Sequence, residues 1–555
     1  MDIFWKIIDD VISLVLLLGH MIVYMLSVPR ILHIFQLESY NWKDYINWLS
    51  KNAKNAFMPG VKQFIACGGF YFAVMLTNLI VLKVSPTSFT KDLRVVEIYA
   101  MFVVFFVSNI LQIMKDKEAM KKAKKKLVYT ARAKRLMLCN FFISALLQVI
   151  FGIFYDYDAI LAFYSILIAL IPINIILANM LAYPTEQIIN SHYIDSAKFK
   201  LLRRKYKNLI KIGITGSYGK TSTKFILATI LSEKYNVLAT PESYNTTMGN
   251  VRVIREKLKP EHQVFISEMG ARRRGDIAKI CDFVKPQIGI ITSIGPQHLE
   301  TFKTVEKVAL TKAELINSLD ANGIIVLPID NEYCSKLYVN EKRKKYSYSL
   351  KKKSSDVYAK DIKLDENGSN FIAVTSIGNI KCTTKLLGEH NIENILGCIA
   401  IAIHLGLSKE QIENGIRKIE PIPHRLQILN NGNGTIVIDD AFNSNPVGSK
   451  MALDVLAKFK GRKIVITPGM VELGAKEYTE NKNLGRHMAE TADIAILVGM
   501  KRSEPIVDGL KEGKFDDQNV YVVPDLNAAT AKLAEISQVG DVILFENDLP
   551  DNYNE

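Results

Sequence analysis

The stretch Gly213-Ile-Thr-Gly-Ser-Tyr-Gly-Lys-Thr-Ser-Thr-Lys224 decides how this chain is read. An apolar run (Leu209, Ile210, Ile212, Ile214) precedes it, and Phe225-Ile-Leu-Ala-Thr-Ile-Leu231 follows. The first predicts a buried strand, the second a helix. A strand, a glycine-containing turn and a helix N-terminus form a phosphate cradle, because backbone N–H groups converge there and the helix dipole favours anions. Lys220 is the side chain expected to reach the outer phosphates, and Thr221 the one expected to offer a hydroxyl to Mg²⁺. The pattern is a shortened one, since Ile214 stands where the full G-x-x-x-x-G-K-[ST] motif has its first glycine.

Downstream of this turn, strand and helix signals alternate, as in a mainly parallel α/β sheet. Val264-Phe-Ile-Ser-Glu-Met-Gly270 predicts a strand that delivers Glu268 to its C-terminal end, where ligands collect in open α/β sheets. A carboxylate there suits Mg²⁺, a hard cation that prefers oxygen. Ile288-Gly-Ile-Ile-Thr-Ser-Ile294 predicts another strand and leads to His298. A helix over Val305–Leu319 carries Lys312. Past about residue 430, Thr435–Asp440, Lys463–Thr467, Ile496–Gly499 and Asp541–Phe545 predict the strands of a smaller α/β domain.

Upstream of it, five apolar runs approach or exceed spanning length: Val11–Val28, Phe64–Leu82, Val95–Met114, Leu136–Phe154 and Ala159–Ala182. Asp2, Asp9 and Asp10 precede the first run and no small-residue cleavage site follows it, so it is expected to be retained. Much of the formal charge of +14 sits in one block, Lys115-Asp-Lys-Glu-Ala-Met-Lys-Lys-Ala-Lys-Lys-Lys126, continued by Arg132, Lys134 and Arg135. A block between two apolar segments is a topology signal and argues against a nucleic-acid partner. Only Tyr155-Asp-Tyr-Asp158 separates the fourth run from the fifth, and Lys198, Lys200, Arg203, Arg204 and Lys205 follow the fifth. By the positive-inside rule the lysine block and everything beyond residue 185 face the cytoplasm, where ATP is. Asn78, Asn109, Asn140, Gln148, Asn174 and Asn179 lie in or near the runs and fit helix–helix hydrogen bonding. The loop with Trp42 and Trp48 is expected along the interface. Six scattered cysteines with no C-x-x-C pair predict reduced packing residues, neither a disulfide framework nor a zinc site.

Eight pieces of the soluble part, in one order, carry a resemblance. They are Thr215-Gly-Ser-Tyr-Gly-Lys-Thr221, Ser243-Tyr-Asn-Thr-Thr-Met-Gly-Asn250, Glu268-Met-Gly-Ala-Arg-Arg-Arg-Gly-Asp-Ile277 and His298-Leu-Glu300. Thr311-Lys-Ala-Glu314, Gly388-Glu-His-Asn-Ile-Glu-Asn394, Asp439-Asp-Ala-Phe-Asn-Ser-Asn-Pro446 and Pro468-Gly-Met-Val-Glu-Leu-Gly474 complete the set. This region resembles the Mur ligases, ATP-dependent amide-forming enzymes of peptidoglycan precursor synthesis, and most of all the type that adds D-alanyl-D-alanine.

The resemblance implies roles at matching positions. Gly216, Ser217, Gly219, Lys220, Thr221 and Ser222 would hold the phosphates, Thr221 and Glu268 one Mg²⁺, and His298 a second. Lys312 matches a lysine that the family carries carbamylated. Asn391 would meet the adenine, while Arg425 and Asp440 would reach the nucleotide from the domain border. Asn245, Thr246 and Thr247 match the stretch near the carboxylate substrate, and Glu472 and His487 lie in the matching part of the amine-binding domain. The implied chemistry is phosphoryl transfer to a carboxylate and attack of an amine on the acyl phosphate. It needs positioning and charge neutralisation rather than a protein nucleophile.

The resemblance does not reach residues 1–200. The expected architecture is an α-helical transmembrane domain of about five helices (1–200), an α/β Mur ligase central ATP-binding domain (201–428) and a smaller α/β C-terminal domain (429–555). Family members have a soluble UDP-sugar-binding domain where this chain has apolar runs, which implies a membrane-bound, lipid-linked carboxylate as an alternative to the UDP-linked one. The acidic ending Phe545-Glu-Asn-Asp-Leu-Pro-Asp-Asn-Tyr-Asn-Glu555 departs from the family's basic one, so the amine, an amino acid or a dipeptide, is left open. The expected protein is a multi-pass cell-membrane ligase in cell-envelope synthesis that uses ATP and Mg²⁺. Two other readings are a polyglutamate-type ligase, which Pro468–Gly474 argues against, and a nucleotide-driven transport or scaffold protein. The oligomeric state is not legible.

Overall fold

The computed structural model describes residues 2–549 apart from 85–89, 124, 155–156, 243, 431–433 and 443. Ser243 and Asn443 of two quoted motifs, Tyr155 and Asp156 of the acidic loop and residues 550–555 of the tail therefore lie outside the described residues. So do the side chains of Asp2, Asp9, Asp10, Cys67 and Asn78. Internal contacts group the chain into two compact units, 1–189 and 190–549.

In the second unit the larger sheet has nine strands: β1 (Ile210–Thr215), β2 (Val237–Ala239), β3 (Val264–Glu268), β4 (Ile288–Ile291), β5 (Ile324–Pro328), β6 (Lys345–Ser349), β7 (Val357–Asp365), β8 (Gly368–Thr375) and β9 (Gly378–Thr384). Their order is β2-β3-β1-β4-β5-β6-β7-β8-β9. Pairing is parallel from β2 to β7 and antiparallel between β7, β8 and β9. Strands β3, β4 and β5 are buried at every position, which is why they read as unbroken apolar runs. In β9, buried Ile380, Cys382 and Thr384 alternate with exposed Asn379, Lys381 and Thr383, so only one face is covered. Helix Glu389–His404 packs on helix Lys220–Leu231 and on β5, β6 and β7, with Ile392, Ile395, Leu396 and Ile399 in the core.

The smaller sheet has six strands: β10 (Gln427–Asn430), β11 (Ile436–Asp440), β12 (Lys463–Thr467), β13 (Ile494–Val498), β14 (Val520–Val523) and β15 (Val542–Glu546). Their order is β10-β11-β15-β12-β13-β14, parallel except for the β10–β11 pair. Helices cover both faces, with Leu453, Leu484, Met488 and Leu510 on one side and Ala529 on the other.

The first unit is helical: Asp2–Leu37, Trp42–Lys51, Ala53–Val84, Thr90–Lys122, Ala131–Phe154, Tyr157–Ala169 and Ile171–Leu202, the last of which runs on past residue 189. Its core is aromatic and aliphatic, built on Tyr24, Phe35, Tyr45, Phe105, Leu136 and Ile175. Large apolar side chains also point outward: Val15, Ile22, Val103 and Leu146 are each 61% exposed. Among the described residues two helical segments are long and apolar enough to cross a membrane, Leu14–Leu37 and Ala131–Phe151. The runs at 64–82 and 95–114 lie on helices Ala53–Val84 and Thr90–Lys122, whose side chains are described only in part.

The fifth run departs from expectation. It is not one straight helix but two pieces, Phe163–Ala169 and Ile171–Leu202, bent by 70°. Pro172 has no N–H to donate to the Ile168 carbonyl and its ring crowds that carbonyl, so the helix ends at Ala169 and restarts at Ile171. The Tyr45 hydroxyl donates to the Pro172 carbonyl at 3.0 Å. Asn109 and Asn140 each bond to a carbonyl one turn back on their own helix, Phe105 and Leu136, whereas Asn174 reaches across to the Tyr24 hydroxyl at 3.1 Å. The described cysteines, Cys139, Cys281, Cys334, Cys382 and Cys398, are all free thiols.

Candidate functional site

Strand β1 lies between β3 and β4, so the C-terminal ends of three parallel strands bring Thr215, Glu268 and Thr292 together. The turn Gly216–Gly219 is fixed to the loop after β4. Ser217 N–H donates to the Ser293 carbonyl at 2.8 Å, Tyr218 N–H to Ser293 Oγ at 2.9 Å, and the Tyr218 hydroxyl to the Pro296 carbonyl at 2.6 Å. Two glycines are sterically required. A Cβ on Gly216 would fall 2.0 Å from Thr292 Oγ1, and Gly219, at φ +78°, opens helix Lys220–Leu231 in the left-handed region.

Lys220 folds over the turn, with Nζ donating to the carbonyls of Gly216 at 2.6 Å and Ser217 at 3.1 Å. Burial pulls its pKa down to about 8, against the attraction of Glu268. The Glu268 carboxylate is fully buried and held from three sides. Its Oε1 accepts from Thr221 Oγ1 and Asn245 Nδ2, both at 3.1 Å, and its Oε2 accepts from Lys224 Nζ at 2.9 Å. Ser222 is buried one residue further along the helix, and Thr246 caps the next helix by accepting from Gly249 N–H, with Thr247 as that helix's first residue.

Lys312, 1% exposed on helix Val305–Asn317, is held well below the ordinary lysine range, first by burial and then by the charge of Lys220. Burial that disfavours the charged form makes an amine a better nucleophile towards CO₂. Asn391 donates to the Leu387 carbonyl at 2.9 Å, just ahead of the start of its helix. Asn394, one turn on, accepts from Thr223 Oγ1 at 3.1 Å and lies against Gly219. Arg425 covers the Phe442 ring at 4.4 Å and its charge acts on Lys220, Glu268 and Asp440. Burial pushes the Asp440 carboxyl up to about 6, against the pull of Arg425.

His298 (φ +49°) is joined through Nδ1 to Glu472 (φ +64°) of the smaller lobe. Arg272 also meets Glu472, at 3.5 Å, and Glu300 N–H donates to the Glu472 carbonyl at 3.3 Å. The expected metal residue and the expected substrate residue are thus hydrogen-bonded to each other. His487 lies between Asp454 at 2.8 Å and Glu490 at 3.2 Å. It lines a cavity of about 360 Å³ between helices Pro446–Leu456 and Glu477–Thr491, with Ser449, Lys450, Met470, Glu480 and Arg486. Among the described residues no three His, Cys, Asp or Glu side chains group as a metal site. Thr221 and Glu268 supply two hard oxygen donors, which fits a Mg²⁺ that completes its shell with phosphate oxygens and water.

Lys224 and Asn394 were missed in the sequence reading. Their signal was spacing: each is a turn away, on the same helix face, from a residue already singled out, Lys220 and Asn391.

Parallel strands, a glycine turn that feeds a helix, and a second α/β lobe define a P-loop nucleotide-binding protein. Residues 214–402 match the Mur ligase middle domain and residues 424–546 the Mur ligase, glutamate ligase domain. UDP-N-acetylmuramoyl-tripeptide–D-alanyl-D-alanine ligase of Escherichia coli is 31% identical over 313 residues, 56% of this chain and 69% of the relative. The Mycobacterium tuberculosis enzyme of that name is 31% identical over 358 residues, 60% and 69% of the two chains. Among solved structures, MurF from Acinetobacter baumannii superposes with a TM-score of 0.59 at 25% identity, covering 66% of this chain and 78% of that one. MurF from Thermotoga maritima in complex with ADP shares the fold, with a TM-score of 0.57 at 24% identity over 65% and 80%. The chain belongs to the Mur ligase family. It is an ATP-dependent ligase that forms C–N bonds in peptidoglycan synthesis.

Proposed function

We propose that this ligase is membrane-bound and joins the carboxylate of a muramoyl-peptide precursor, carried on UDP or on a lipid, to an amine of the D-alanyl-D-alanine class. The convergence of Lys220, Thr221, Glu268 and buried Lys312 on the β1 turn carries the catalytic half of this reading. The outward-facing apolar side chains of the first unit support the membrane half. The N-terminal unit (1–200) is assigned as the membrane domain, 201–428 as the nucleotide domain and 429–555 as the amine-binding domain.

In this assignment a carboxylate oxygen of the substrate attacks the γ-phosphorus of ATP and the bond to ADP breaks. The amine then attacks the carbonyl carbon of the acyl phosphate, loses a proton, and inorganic phosphate departs. Gly216, Ser217, Gly219 and Ser222 hold phosphate oxygens through the turn and the helix start. Lys220 moves from the two turn carbonyls to the β- and γ-phosphates and offsets their charge. Thr221 and Glu268 would hold Mg²⁺, which would supply neutralisation of phosphate charge. His298, its Nδ1 being on Glu472, would have Nε2 left to help hold a second ion. Lys312, as a carbamate, supplies a carboxylate beside Lys220. Asn391 faces the base, Arg425 and Asp440 border the nucleotide from the other lobe, and Asn245, Thr246 and Thr247 lie nearest the carboxylate substrate. Glu472 tethers the amine-binding lobe to the nucleotide lobe, excluding water as they close. The charged cavity beside His487 supports placing a zwitterionic amine on the smaller lobe.

The test is ADP release and product mass with full-length protein in detergent, ATP and Mg²⁺. UDP-linked and lipid-linked muramoyl tripeptide are each offered with D-Ala-D-Ala or with single amino acids. An amide product that Lys220→Ala abolishes supports the ligase assignment, and preference for the lipid-linked carboxylate supports the membrane role. ATP turnover without amide from any pair refutes this substrate assignment.

A further inference from the structure

Lys224 lies one turn beyond Lys220 on the helix that opens the phosphate cradle, and its side chain is fully buried against Glu268. Its Nζ donates to Glu268 Oε2 at 2.9 Å and to the Glu242 carbonyl. With Thr221 and Asn245 on Oε1, both oxygens of the carboxylate are engaged by protein donors. The backbone of Glu268 is fixed as well, its carbonyl accepting from Asn250 Nδ2 at 3.0 Å. For stability alone such a pair is a poor choice, because taking two charges out of water costs about as much as their attraction returns. A uncharged pair of the same shape would pack as well. The pair therefore serves the carboxylate, which the preceding assignment places at the metal.

We infer that Lys224 is a positioning residue that holds the Glu268 carboxylate and competes with a divalent cation for it, so that metal binds at Glu268 together with the nucleotide and only weakly by itself. This rests on the assignment of Glu268 as a metal-facing group. A cation approaching Oε2 meets a fixed positive charge within hydrogen-bond distance of the same atom, and the charges of Lys220 and Arg425 also act on Glu268. Triphosphate oxygens offset that positive field and supply the remaining ligands. Metal and nucleotide affinities are then coupled, each raising the other by one factor.

The experiment titrates Mn²⁺ alone, and Mn²⁺ with ADP, into the full-length protein in detergent, following free Mn²⁺ by electron paramagnetic resonance. Wild type should bind Mn²⁺ weakly alone and at least about tenfold more tightly with ADP, since a neighbouring like charge shifts cation binding at a carboxylate by about one to three decades. Lys224→Met should bind Mn²⁺ alone about tenfold more tightly than wild type and show a smaller ADP effect, whereas Lys224→Arg should behave as wild type. A purely structural lysine would change melting temperature without tightening metal binding. If Lys224→Met binds Mn²⁺ no more tightly than wild type, the inference is overturned. Should that variant not fold, Lys224→Gln takes its place with the same two titrations, each corrected for the Mn²⁺ that ADP binds without protein: tighter binding of Mn²⁺ alone supports the inference, and unchanged binding overturns it. Mn²⁺ binding that survives Glu268→Gln unchanged is a separate failure, that of the Glu268 assignment itself.

Discussion

Raising the pH from 7 to 9 should weaken nucleotide binding through Lys220. Its ammonium is held by the Gly216 and Ser217 carbonyls at 2.6 and 3.1 Å, and burial lowers its pKa from 10.5 to about 8. A lysine with a lowered pKa is charged below that value and neutral above it. Phosphate favours the charged form, so above pH 8 binding must draw a proton onto Nζ. The charged fraction falls from roughly nine-tenths at pH 7 to roughly one-tenth at pH 9. If the complex keeps the lysine charged, apparent affinity drops about tenfold over that interval, ~1.4 kcal/mol. Calorimetric titration of ADP into the full-length protein at pH 7, 8 and 9, in buffers of different ionisation heat, reads both the affinity and the proton uptake. Lys220→Met should cost about 1.5–3 kcal/mol at pH 7, the contribution of a charged hydrogen bond, and flatten the pH dependence. The same pH slope in Lys220→Met, or a flat wild-type profile, would refute the reasoning.

Other expectations are equally direct. Gly219→Ala forces an L side chain to φ +78° and puts Cβ 2.6 Å from Asn394 Oδ1, so it should destabilise by about 1–2 kcal/mol from the backbone and about 1 kcal/mol from the disturbed Thr223–Asn394 bond. A thermal melt indistinguishable from wild type would contradict the clash. Lys312→Leu replaces a buried amine with a shorter apolar group, relieving the amine's desolvation at the cost of a small void, so the melting temperature should change little while ligase turnover is lost. In ¹³C-bicarbonate, wild type should show a carbamate carbon resonance that Lys312→Leu lacks; its absence from wild type would count against the carbamate. Glu472→Gln should loosen the tie to His298 and Arg272 and raise susceptibility to proteolysis between the two sheets, without lowering the affinity for ADP measured by calorimetry.

The α/β core was legible where burial is complete. Fully buried strands such as β3 and β4 leave unbroken apolar runs, and the acid, histidine or glycine that ends each run stands out against them. Strands β7, β8 and β9 escaped notice, because an antiparallel meander with one covered face alternates polar and apolar residues and mixes with turn signals. The pairing of His298 with Glu472 could not be read, since nothing local marks a contact between residues 174 positions apart. Lys224 was hidden for the opposite reason: a second lysine after a phosphate-binding one looks like helix surface until its neighbour proves to be a buried carboxylate. Hydropathy likewise passed over the break at Pro172, because a window that sums side-chain preference does not register a missing backbone N–H.

Under the membrane assignment proposed above, that break has a topological consequence. The helix before it, Tyr157–Ala169, has 13 residues, about 20 Å of rise, which is short of the ~30 Å hydrocarbon thickness. Either the bent pair completes a single crossing together or the chain enters the bilayer there and returns to the side it left. The two paths differ by one in the number of crossings, and an odd and an even count place the segment ahead of Leu14 on opposite faces of the membrane. An epitope fused ahead of that segment, probed with protease on sealed vesicles, reads the parity directly. Under that proposal, a bend of 70° at one proline would decide whether that segment shares a compartment with the nucleotide-binding turn.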